Sequence, residues 1–127
     1  MLFAGICQFL LCMIVPKTLL SQNLGEYQVK AAFVYNFTKL IQWPETTFDS
    51  DGETFNIAVF GNEKLKESFR TIDGKISAGR VISVQYPDPE SKNLKKTLAK
   101  SQVVFISRHM RLEHVLQILK NTEDRPI

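Results

Sequence analysis

The sequence predicts a single small α/β domain: a largely parallel sheet with helices on both faces, preceded by an extra N-terminal helix and lacking its last strand. Three observations lead there. Beyond residue 54, short runs rich in β-branched residues alternate with amphipathic ones, which implies crossover connections and a sheet covered on both sides. Proline and glycine fall at the joins between the runs. A length of 127 residues suits one core, since a compact domain typically needs on the order of 100. Hydrophobic residues at 44% and charged residues at 23% are the balance of a globular chain and not of a disordered one.

Residues 2–15 are apolar apart from Gly5 and Gln8, and no charge precedes Lys17. Such a run is short for a bilayer, which needs roughly 20 residues, and suits the centre of a secretory leader. Residues 1–22 are therefore read as a signal peptide cleaved near Ser21, leaving a domain over 23–127. A retained anchor and a buried N-terminal helix are the alternatives. Both cysteines, Cys7 and Cys12, lie in the leader, so its removal excludes disulfides, thiol catalysis and cysteine-based metal sites. Leu11 stands where lipid attachment at Cys12 requires a small residue. Lys17 is the only charge lost, so the net charge falls from +3 to +2, and no basic cluster interleaved with aromatics appears; no nucleic acid partner is expected.

After the leader, Val29, Ala32, Phe33, Asn36, Phe37 and Leu40 recur at steps of three and four, one face of a helix expected to lie on the core. Glu26 is expected in its first turn, where a carboxylate favours the helix dipole. Pro44 forbids helix at Trp43, which ends it near Ile41. A polar loop over 45–53 follows. Strands are then expected over 55–60, 81–86 and 103–107, and helices over 63–72, 94–100 and 110–121. Gly61 and Asn62 close the first strand, Gly74 ends the helix after it, and Pro87 and Pro89 separate the second strand from the next helix. Arg125, Pro126 and Ile127 fall where another strand would begin, so the sheet is expected to be incomplete.

Few residues suggest chemistry. The turn at Gly61 and Asn62 lies where phosphate loops sit, but it has one glycine, no P-loop lysine, and a repelling carboxylate at Glu63. His109 and Glu113 share a helix face, with His114 well round from it, and no third metal ligand is in evidence. Ser107, Arg108 and His109 follow a strand at the edge where open sheets bind ligands, yet Ser107 lacks the glycines of a nucleophile elbow. No catalytic residue, cofactor or metal is expected. Asn36, between Phe33 and Phe37, is the candidate buried polar group, which needs a partner or loses on the order of 1 to 3 kcal/mol. The Asn36, Phe37, Thr38 triplet spells a glycosylation acceptor, which its mid-helix position argues against. Tyr35, Lys39 and Trp43, on the other side, form the candidate partner or dimer contact, since aromatics beside a charge suit an interface, although Trp43 fits core packing equally well.

Glu26, Tyr27, Val29, Lys30, Ala31, Ala32, Phe33, Tyr35, Asn36, Phe37, Lys39, Trp43 and Pro44 together resemble the opening signature of YfiR-like proteins. The resemblance continues through Phe55, Ile57, Val59 and Gly61, then Gly79 and Arg80, then residues 104–107. It implies a non-enzymatic periplasmic regulator that forms a homodimer. The implied partner is the sensor part of an inner-membrane diguanylate cyclase, which it keeps inactive. The sensor part of a larger membrane receptor, or a ligand-binding or enzymatic α/β domain, are the other readings. Two departures stand out: the family's redox-linked disulfides have no counterpart over 23–127, and family members continue past Ile127 with a further strand.

Export predicts a new N-terminus near Gln22 when the protein is made in a Gram-negative host, read by mass spectrometry; an intact Met1 on a cytoplasmic protein contradicts it. Because no cysteine follows Cys12, mild diamide treatment of the mature protein should leave partner binding unchanged.

Overall fold

A computed structural model of the chain describes residues 22–48 and 52–122. The leader, apart from Gln22, and the strand expected to begin at 125–127 lie outside the described residues. The described chain runs through α1 (Gln22–Leu40), a 3₁₀ turn (Glu45–Thr47), β1 (Thr54–Phe60), α2 (Glu63–Arg70), β2 (Ile76–Ser77), β3 (Arg80–Gln85), α3 (Leu94–Lys100), β4 (Val103–Ile106) and α4 (Leu112–Lys120). The strands form one sheet in the order β2-β3-β1-β4. β1 runs parallel to β3 and to β4, with Ile57 opposite both Val84 and Val103, while β2 is antiparallel to β3.

The alternation of residues along β1 decides the layering. Phe55, Ile57 and Val59 point to one face, where α1 and α2 bring Ala31, Val34, Leu65 and Phe69. Ala58 and Phe60 point to the other, against Leu94 and Leu98 of α3 and Ile118 of α4. A strand buried on both faces reads as a continuous apolar run, as residues 57–60 do. The expected α/β sheet with helices on both faces is thus present, each expected strand found within a residue or so.

Local chemistry sets the turn between β1 and α2. Asn62 caps the helix, its side-chain oxygen accepting from the Leu65 N–H at 3.0 Å. A Cβ at Gly61 would run into the buried Leu65 side chain, so this close approach needs glycine. The β2–β3 hairpin is an addition to the expected elements. Ala78 (φ 51°) and Gly79 (φ 70°) both take left-handed backbone, the requirement of a tight two-residue turn. A strand of two residues has no period to read, so nothing in the apolar pattern announces it.

α1 requires two corrections. It begins at Gln22, so Glu26 lies in the second turn and pairs with Lys30 at 2.7 Å. The Lys30 ammonium holds the Glu26 carboxyl below the usual range. More consequentially, the helical period holds but the expected side is reversed. Ala31, Val34 and Thr38 are buried, whereas Val29 (67% exposed), Phe33 (69%), Phe37 (46%) and Leu40 (83%) face outward. Ala32 and Asn36 are exposed with them, so Asn36 is not a buried amide. A polar contact accounts for the choice of face: the Thr38 and Ser77 hydroxyls meet at 2.8 Å, both buried, which no phenylalanine at that position could match. Thr38 donates its proton to the Tyr35 carbonyl at 2.7 Å, so Ser77 is the donor to Thr38.

Replacing Thr38 leaves the buried Ser77 hydroxyl unsatisfied, whereas replacing Ser77 leaves Thr38 its bond to the Tyr35 carbonyl. Thr38→Val should lower stability by about 1 to 3 kcal/mol, and Ser77→Ala by the roughly 1 kcal/mol of a single hydrogen bond. The double variant should fall short of the sum, because contacting groups are not additive. Urea denaturation of the four proteins gives the coupling, and strict additivity would contradict it.

Candidate functional site

The strands' carboxyl ends hold most residues that sequence singled out for chemistry. A cleft of about 290 Å³ opens there, lined among others by Gly61, Lys66, Tyr86, Asp88, Met110 and His114. Tyr86 donates to the Lys66 carbonyl at 3.0 Å, and burial pushes its phenol up. Ser107 accepts from the His109 backbone N–H at 3.3 Å, while the His109 ring meets the Arg108 side chain at 3.3 Å. The serine hydroxyl therefore lies against backbone, not against a base. His114 turns to Arg111 at 3.2 Å and Glu90 at 3.6 Å, away from any shared site with His109. Among the described residues no group of three His, Cys, Asp or Glu side chains is placed to hold a metal. The Asn62 amide donates to the Tyr27 hydroxyl at 3.2 Å, tying the Gly61 turn to α1.

A second cluster forms where the end of α1 crosses the β2–β3 hairpin. The Tyr35 hydroxyl donates to the Ile76 carbonyl at 3.4 Å. Its ring has two ammonium groups near it, Lys39 and Lys75, each 5.1 Å from the centroid. Ile76 beside them is exposed. Together these residues make an aromatic and apolar patch edged by two positive charges. Lys75 and Ile76 escape sequence reasoning because the hairpin, and not any spacing, brings them back onto α1 from far along the chain.

Trp43, expected in the same contact, is half-buried and holds the domain together. Its ring meets Phe55 edge-on, centroids 5.1 Å apart. Its indole N–H donates to the Thr38 carbonyl at 2.7 Å, satisfying one of the carbonyls that the last turn of α1 leaves without a helical partner. The three candidate contact residues are thus close in space but serve different ends. Tyr35 and Lys39 border open surface, and Trp43 braces the helix behind them.

A family model described as YfiR/HmsC-like matches residues 27–127. No curated protein and no solved structure matches the chain.

The bracing role of Trp43 separates into two parts. Trp43→Phe keeps a ring on Phe55 and loses the hydrogen bond, a change of about 1 kcal/mol. Trp43→Ala removes both and should cost about 3 kcal/mol. Thermal melts followed by circular dichroism measure the difference, and equal melting temperatures for the two variants would contradict the assignment.

Proposed function

The chain belongs to the YfiR/HmsC-like family, and from that premise we propose that it is a non-enzymatic periplasmic regulator that binds the sensor part of an inner-membrane diguanylate cyclase and holds it inactive. The observation that carries this reading is the patch of Tyr35, Lys39, Lys75 and Ile76, an aromatic and aliphatic centre with positive charge at its edge. Such a surface fits an acidic partner surface with an apolar centre: the apolar contact supplies affinity, and the charges supply approach rate and orientation. Tyr35 and Lys39 lie within the stretch that matches the family, close to the Trp43 brace that keeps the end of α1 in place. Among the described residues no helix is long and apolar enough to cross a membrane. The chain acts on a membrane protein by docking, and the cyclase supplies the chemistry.

Reversing both charges of the patch tests the reading. Lys39→Glu combined with Lys75→Glu should weaken binding to the cyclase sensor by tenfold or more and release cyclic di-GMP synthesis. Both lysines are exposed, so stability should move by less than about 0.5 kcal/mol. Unchanged binding would place the contact elsewhere.

A further inference from the structure

The connections of the sheet part at the end of β1. From β1 the chain turns to α2, which packs on the Phe55 and Ile57 face, whereas β3 and β4 lead to α3 and α4 on the Phe60 face. Helices that leave neighbouring strands toward opposite faces keep a gap between them, and open α/β sheets hold their ligands there, outside the carboxyl ends of the strands. The cleft of about 290 Å³ occupies this place, with Gly61 from the end of β1, Tyr86 from beyond β3, Met110 from beyond β4 and Lys66 from α2 in its lining.

Its walls are set by contacts within the domain. The Tyr86 hydroxyl donates to the Lys66 carbonyl at 3.0 Å and so ties the end of β3 to α2. Pro87 and Pro89 bring rings of fixed φ and no N–H, which makes their wall apolar and stiff. Met110 packs partly against the Ala58 and Phe60 cluster and adds a polarizable side chain that can adapt to an occupant. Lys66 is the single lysine or arginine among the described lining residues. Its ammonium has three protons to donate, and Glu63 takes one at 3.0 Å. An apolar slot with one cation suits a small apolar body that carries one negative charge. Asp88 in the lining and Glu63 beside Lys66 work against a dianion such as phosphate.

We propose that this cleft binds a small organic monocarboxylate, its apolar body between Tyr86, Pro87, Pro89 and Met110 and its carboxylate on the Lys66 ammonium. A volume of about 290 Å³ lies at the lower end of ligand pockets, with room for one ring and its acid group and not for a nucleotide. Binding there does not depend on the cyclase reading, and its test uses no cyclase.

Met110 supplies the reporter, since Met1 and Met13 both belong to the segment read as a leader. In protein isotopically labelled at the methionine methyl and processed by a Gram-negative host, benzoate, and more weakly butyrate, should shift the Met110 signal in nuclear magnetic resonance spectra. The shift should saturate with a Kd on the order of millimolar for benzoate, as a ligand of so few atoms allows. Met110→Leu identifies the signal. Benzamide, the uncharged isostere, should bind about tenfold more weakly or worse, the loss of one charged hydrogen bond. Lys66→Met keeps the stem and removes the charge, so it should weaken benzoate by about the same factor and leave benzamide unchanged. The melting temperature should stay where it was, because the Lys66 pair with Glu63 is a surface one. No saturable shift with either acid overturns the proposal. Equal affinity for benzoate and benzamide, or a benzoate affinity indifferent to Lys66→Met, overturns the role of the carboxylate and the proposal with it. Tighter binding of inorganic phosphate than of benzoate overturns the class of ligand.

Discussion

The hydroxyl contact between Thr38 and Ser77 sets how α1 lies on the domain, and the character of the molecule's surface follows from it. A helix can present any side to a core as long as that side is apolar enough, and α1 has two such sides. The buried hydroxyls resolve the choice, because Ser77 finds its partner only when Thr38 faces the hairpin. Trp43 reinforces the same rotation from beyond the helix end, tying the Thr38 carbonyl to the Phe55 side of the core. With the small side chain of Ala31 turned inward, the helix can come close to the core, and the two larger phenylalanines are left outside.

The hairpin that carries Ser77 is itself held by contacts distant in sequence. Arg80 lays its guanidinium over the Phe48 ring at 3.8 Å and donates to the Gly52 carbonyl at 3.0 Å, which fastens the loop before β1. Gln102 does similar work at the other end, accepting from the Asn56 N–H at 2.7 Å and donating to the Thr47 carbonyl at 3.3 Å. These side chains replace ladder bonds that an irregular loop lacks, as buried backbone groups require. The resulting frame explains why a strand of two residues holds its place at the sheet edge.

The proposed function rests on a surface. The residues with chemical potential at the strand ends are occupied with backbone and charge neighbours: Ser107 with the His109 N–H, His109 with Arg108, and His114 with Arg111 and Glu90. The open features are of another kind: a lysine-edged tyrosine patch and an uncovered apolar stripe on α1. They lie on different sides of one helix.

The sequence by itself determined the class of fold, because apolar periods of two and of 3.6 survive whatever the elements pack against. It located β1, β3, β4 and the helices, the turn at Gly61 and Asn62 and the end of α1 before Pro44, all matters of local steric and hydrogen-bonding rules. It also carried the family signature, most densely in α1. Tertiary structure decided which side of α1 faces inward, and with it the exposure of Asn36, Phe33 and Phe37. Periodicity reports that residues share a face and is silent on whether that face meets the chain's own core or something else. Only the pairing of Thr38 with a serine 39 residues away, on a hairpin too short to leave a pattern, supplied the missing information.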